Sequence, residues 1–248
     1  MKCNTRAVLL SAFAAALSCQ SQAAILGSAQ SFAVLGGSTV TNTGPTISNG
    51  SLGVWPGAAV TGFPPGVVNG TIHSGDAVAQ QAQRDAVTAY NMLAGLVPTQ
   101  NLTGTNLGGL TLTPGVYFFS SSAFLTGTLT LDAMGDPGAR FVFQTGSTLI
   151  TATNASVVMI NGANACDVYW QVGSAATLGT NTSFQGNILA MTSITLNTGA
   201  SIVEGRALAQ SGAVTMDSNV ITAACIPTPG ASLLIGVAVI GLACRRRR

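Results

Sequence analysis

The sequence predicts an all-β chain with one helix: a triangular parallel β-helix with a single long α-helix packed along one side. Three observations predict it. A unit of three short apolar strands recurs in the C-terminal half, and one segment alone departs from strand alternation. The chain is also poor in charge, with 6% charged residues against 47% hydrophobic, where globular domains carry roughly 25% charge. Outside the two termini the apolar residues alternate with Thr, Ser, Gly and Asn, which argues for strands over membrane-spanning helices.

The repeat comes first. Ser147-Thr148-Leu149-Ile150, Ala176-Thr177-Leu178-Gly179, Ile194-Thr195-Leu196-Asn197 and Val214-Thr215-Met216-Asp217 each carry a Thr followed by an apolar residue. Turn pairs precede them at Gly146-Ser147, Gly173-Ser174, Thr192-Ser193 and Ser211-Gly212. An apolar strand lies before each turn (141–144, 168–172, 187–190, 206–210), and a third follows the Thr strand (155–160, 183–186, 201–205, 219–222). The threonines are 29, 18 and 20 residues apart. Three strands of about four residues with tight turns need about 18–20 residues, one coil of a triangular β-helix. An insertion over 161–167 accounts for the longer interval. A β-sandwich would also space its strands evenly, but the repeated order of strand types favours coils. Residues 32–42 read as strand, Gly-Gly turn, strand, and Ser38-Thr39-Val40-Thr41 resembles Gly212-Ala213-Val214-Thr215, so they join the same solenoid.

The helix is expected over 76–96. Ala82, Ala86, Ala89, Tyr90 and Leu93 share one face at helical spacing. Ser74 or Asp76 caps it, and Gly95 or Pro98 ends it. Arg84 and Asp85 are expected to point to solvent.

Alternation then orients the threonine strands. Leu149, Leu178, Leu196 and Met216 fill the interior, so Thr148, Thr177, Thr195 and Thr215 form an outward column. Two residues earlier, Gly146, Ala175, Ser193 and Ala213 form a second column. The result is a flat, uncharged plane of short side chains. Threonine adds a hydroxyl, a methyl and little χ1 freedom to lose on contact. Thr is also simply common at outward strand positions.

The two ends read as processing segments. Residues 1–24 form a secretory signal: Lys2 and Arg6, an apolar stretch over 7–17, and small residues at Ser21-Gln22-Ala23-Ala24. Lipidation at Cys19 is an alternative, although Ala16-Leu17-Ser18-Cys19 is a poor lipobox. The domain proper is expected over 25–226. Residues 227–248 carry Pro227-Thr228-Pro229-Gly230, an apolar run over 231–244 and Arg245 to Arg248. Fourteen apolar residues fall short of the ~20 of a spanning helix. This layout resembles PEP-CTERM sorting tails, with Thr228 in place of Glu. The resemblance implies export and tail removal by sorting machinery at the cell surface; a plain tail anchor is the alternative.

Between the ends, three Arg face seven acids, a net charge of −4 with no Lys. Nucleic acid and anionic membranes are therefore poor partners. Cys166 and Cys225 are the cysteines left to the exported domain and suggest one disulfide. It would close a loop of about 60 residues, worth ~4 kcal/mol; two buried thiols are the alternative.

Catalytic and metal chemistry finds little support. A single histidine, His73, excludes a site built on several imidazoles. Asp132 and Asp136 read as turn residues in a Gly/Pro-rich loop, with calcium as a minor alternative. Three Arg and no Lys make a polysaccharide lyase a weak reading. No enzyme activity, cofactor or metal is expected.

From 107 to 222 the chain resembles the microbial ice-binding proteins. The resemblance is carried by Gly108-Gly109-Leu110-Thr111-Leu112-Thr113-Pro114-Gly115-Val116-Tyr117, Phe141-Val142-Phe143-Gln144, Val168-Tyr169-Trp170-Gln171-Val172-Gly173, Phe184-Gln185-Gly186-Asn187-Ile188-Leu189-Ala190, Ile194-Thr195-Leu196-Asn197-Thr198-Gly199-Ala200-Ser201 and Gly205-Arg206-Ala207-Leu208-Ala209-Gln210. It implies a right-handed β-helix that adsorbs to ice through one flat face and acts as a monomer. That face would include the strand Ala213-Val214-Thr215, with Thr39, Thr41, Thr128 and Thr130 joining Thr148, Ala175, Thr177, Ser193 and Thr195. Gly146 and Ile150 interrupt the column, and Asp217 lies at its edge. A surface structural or adhesive solenoid without ice activity is the alternative.

Overall fold

The computed structural model describes residues 23–136 and 138–223. Most of the expected N-terminal signal (1–24), Cys225 and the segment 227–248 expected to be a sorting tail lie outside the described residues. Every strand pairing between 32 and 222 is parallel, and the strands form three faces of a coil. One face is a seven-stranded sheet. Across it run Ala123–Leu125, Leu149–Thr151, Ala176–Leu178, Ile194–Leu196, Val214–Asp217, Thr39–Thr43 and Ala59–Thr61. The other two faces share one sheet, because Ser183–Ala190 and Ser201–Ala209 continue around a corner. At that corner Gly205 has φ +147°, and a Cβ there would lie 1.9 Å from the Gly186 carbonyl oxygen. Only glycine turns the backbone in that space.

The expected three-strand coils are present, and Asn161 to Asp167 is the insertion, ending in the short 3-10 turn Ala165–Asp167. The N-terminal strands join the solenoid directly. Phe32–Gly36 pairs with Ser201–Ala209, Thr39–Thr43 with Val214–Asp217, and Ile47–Asn49 with Val220–Thr222. The chain therefore enters the stack near one end, builds that end, and must cross to the other end before winding back. On the helix-covered face this crossing spans eight inter-strand steps, from Ile72–Ser74 to Gln100–Asn101, or ~38 Å. The helix Ala77–Ala94 covers about 27 Å of it, and the segment up to Gln100 covers the rest.

Asp76 is the cap, accepting from the Ala79 amide at 2.8 Å, and Gly95 follows the last turn. Ala82, Ala86, Ala89, Tyr90 and Leu93 are buried against Leu35, Val142, Tyr169, Leu189 and Leu208. Strands under the helix are thus buried on both sides, which explains why Phe141–Thr145 and Val168–Val172 read as nearly continuous apolar runs. Gln144 Nε2 donates to the Leu93 and Leu96 carbonyls at 2.7 and 2.8 Å, satisfying groups that the helix end leaves open. Arg84 is exposed as expected. Asp85 is not: it is half-buried and accepts from the Ser28 amide and hydroxyl at 2.7 and 2.6 Å. The cause is non-local, since the N-terminal turn Gly27–Ser31 packs on the helix.

Inside the coil the register stacks Tyr117, Phe143 and Trp170. The Phe143 and Trp170 rings lie 3.8 Å apart and nearly parallel. Arg206 is buried on the opposite, helix-covered side of the sheet, level with Asn187 and Tyr169, at 1% exposure. Its Nε and Nη2 donate to the Gln30 carbonyl at 2.9 and 2.6 Å, and its Nη1 donates to Asn187 Oδ1 at 2.7 Å.

Candidate functional site

On the seven-stranded face, inward positions are filled by Leu125, Leu149, Leu178, Leu196, Met216 and Val40, all buried. The outward row beside them runs in unbroken register: Phe124, Ile150, Thr177, Thr195, Thr215, Thr41, Thr61. Five consecutive strands thus present threonine at one level. The Thr41 and Thr215 hydroxyls are 3.4 Å apart. Two residues earlier on each strand lie Ala175, Ser193, Ala213, Thr39 and Ala59, with Thr39 level with Ala59. On the other side, Thr43 pairs with Asp217 at the margin of the plane. The Asp217 carboxylate accepts from Thr198 Oγ1 at 2.5 Å and from Ser218 Oγ at 3.1 Å, so the one acid of this face is held by hydroxyls at its edge.

Two expectations change and one residue joins the row. Thr148 does not stand level with Thr177. Leu149 pairs with Ala176 and Ile150 with Thr177, so Thr148 belongs to the neighbouring row, where it shares a 2.7 Å hydrogen bond with Ser122. The turns decide this: the Gly173 amide donates to the Thr145 carbonyl and the Ser174 amide to the Ser147 carbonyl, which sets the register two residues away from a Thr-on-Thr match. Thr128 and Thr130 are not on this face. They lie on Thr128–Asp132, which pairs with Ser156–Ile160 in the other sheet, because Gly127 turns the chain after Ala123–Leu125. Thr61 was missed, although Ala59-Val60-Thr61 repeats Ala213-Val214-Thr215 letter for letter.

Elsewhere, His73 sits on Ile72–Ser74, with its Nδ1 2.7 Å from Asp76 Oδ2 and its ring against Phe32. Asp132 and Asp136 serve as turn residues: Asp132 Oδ1 accepts from the Met134 amide, and Asp136 Oδ1 from the Gly138 amide. Among the described residues no three His, Cys, Asp or Glu side chains gather as metal ligands. Cys166 is buried beside Ala165 and Met159.

Fold and face together define a β-solenoid whose distinctive surface is a plane rather than a cleft. The Ice-binding-like family matches residues 34–222, and the chain belongs to it. It is 57% identical over 249 residues to an ice-binding protein of Nostoc sp. (strain HG1), covering 95% of this chain and 92% of that one. A crystal structure of an ice-binding protein from an Antarctic biological consortium matches with a TM-score of 0.77 at 52% identity, over 79% of this chain and 89% of that one. Another, from the Antarctic ascomycete Antarctomyces psychrotrophicus, gives 0.78 at 42% identity, over 81% and 98%.

Proposed function

We propose that this chain is an exported ice-binding protein that adsorbs to ice through the seven-stranded face. The observation that carries the reading is the in-register row Thr177, Thr195, Thr215, Thr41 and Thr61. Parallel strands set its repeat at ~4.8 Å across the sheet and ~6.6 Å along each strand. The rigid core below holds hydroxyls and methyls at fixed positions, so water ordered over them can merge with a crystal face without reorganising the protein. Adsorption of this kind needs no covalent step, cofactor or metal. Thr39, Ser193, Ala175 and Ala213 form the second row of the contact. Relatives named as ice-binding proteins support the same partner.

The same reading includes a mature domain beginning near Ile25, which is already buried with Leu26 against the helix. It includes export by the leader, surface sorting by the tail, and a Cys166–Cys225 disulfide. Cys166 is 4% exposed, and Ala223, two residues before Cys225, packs near Gly50 at a corner of the coil. Loss of two hydrogens on mass analysis of unreduced protein tests the disulfide.

The test of function uses the purified protein in ice-shaping, thermal-hysteresis and recrystallisation assays. Wild type should shape ice and block recrystallisation. Thr195→Tyr and Thr215→Tyr should abolish both while leaving circular dichroism and melting unchanged. Wild type that leaves ice growth unaltered would favour the adhesive reading.

A further inference from the structure

We infer that the ice contact stops between the strands Leu149–Thr151 and Ala176–Leu178, with Ile150 and Phe124 forming its boundary. This rests on the seven-stranded face being the adsorbing surface. The backbone register runs on unbroken from Thr177 to Ile150 to Phe124, so the sheet itself gives no reason for the contact to end. The side chains do. Ile150 is 37% exposed and Phe124 48% exposed, and neither offers a hydroxyl. A phenyl ring also stands well above the level of a threonine.

Hydroxyls are present on this part of the face, but in the second row, level with Ser193 and Thr39 and not with the five threonines. Ser122 and Thr148 lie two residues earlier along their strands and bond to each other at 2.7 Å. Across the boundary that row holds Ala175, while the hydroxyl belongs to Thr177. The threonine row therefore ends at Thr177, and the hydroxyls of Thr148 and Ser122 lie one outward position away along their strands, ~6.6 Å. Leu149 and Ala176 are locked in the core on either side of that boundary, so the strands cannot slide to extend the row. Water ordered along the five threonines meets the apolar side chains of Ile150 and Phe124 where the next two hydroxyls of the row would stand. The threonine row spans four inter-strand steps, ~19 Å, where the full seven-position row would span ~29 Å.

The test is the double variant Phe124→Thr/Ile150→Thr in the full chain. Both side chains point outward, and Ala123, Leu125 and Leu149 keep the core. Thermal hysteresis at equal molar concentration should rise about 1.5-fold, in proportion to row length. Phe124→Trp, a bulkier change at the same place, should leave hysteresis unchanged. Unaltered or reduced hysteresis in a double variant with wild-type melting would overturn the inference. Loss of activity in Phe124→Trp would overturn it too, even if the double variant failed to fold. Wild type that does not act on ice sinks the proposed function instead, which keeps the two failures distinct.

Discussion

Replacing Arg206 with alanine should cost about 3 kcal/mol and loosen the part of the face that carries Thr41 and Thr61. The guanidinium is 1% exposed and gives two hydrogen bonds to the Gln30 carbonyl and one to Asn187 Oδ1. Gln30 lies just before Phe32–Gly36, the strand that docks on Ser201–Ala209 through Val34 and Leu35. Arg206 therefore ties the entering chain to the last coil. A hydrogen bond to a charged group contributes ~1.5–3 kcal/mol. Burial of the cation opposes this and pulls its pKa down to about 10, so it remains protonated at neutral pH but recovers some solvation in the unfolded chain. Breaking a buried charged cluster typically costs ~3–5 kcal/mol, and the lower end suits a site where desolvation is being relieved. In equilibrium terms ~3 kcal/mol is roughly 150-fold. Urea unfolding followed by circular dichroism measures the loss. Hydrogen exchange should place the extra opening in residues 32–61. A loss under ~1 kcal/mol, or exchange raised evenly over all coils, would refute the reasoning.

Gly205→Ala should destabilise by more than ~3 kcal/mol, because φ +147° is strained for alanine and its Cβ would press on the Gly186 carbonyl; a melting temperature close to wild type would show that the corner can relax. For Asp85, partial burial acts to raise the pKa, but hydrogen bonds from the Ser28 hydroxyl and amide and from Gln81 outweigh it and hold the carboxyl below the usual value. A lowered folded-state pKa contributes stability that is complete above the unfolded value and lost as pH falls through the folded one. The Gly27–Ser31 turn should therefore loosen from the helix below about pH 4, and Asp85→Asn should flatten the melting-temperature profile between about pH 2 and 5. Equal slopes for both proteins would argue against this contact.

The coil was legible because its cause is local and repeated. Small residues at each corner and one large apolar residue per short strand define three sides whatever the rest of the chain does. Membership of 32–42 was legible for the same reason, since Ser38-Thr39-Val40-Thr41 matches 212–215, and the structure pairs those strands directly. The crossing helix was legible from its alanine spacing. Arg206 and Asp85 were not. Each is a charged residue whose burial depends on Gln30 or Ser28, groups 176 and 57 positions away in sequence.

The face itself shows the limit most clearly. Alternation says which residues point outward and is blind to a slip of two. Thr148 and Ile150 are both outward, as are Thr128 and Thr130 on a different side of the coil, so no pattern of inside and outside distinguishes the row from its neighbours. The turn hydrogen bonds between Thr145 and Gly173 and between Ser147 and Ser174 choose among the candidates. A surface that works by matching a lattice depends on that choice. Placing the threonine two residues earlier or later on the same strand leaves burial and fold unchanged and yet moves a hydroxyl by ~6.6 Å. Stability places no selection on which outward row holds the threonines. The alignment of five of them at one level is therefore what the proposed adsorption requires and what the fold alone does not.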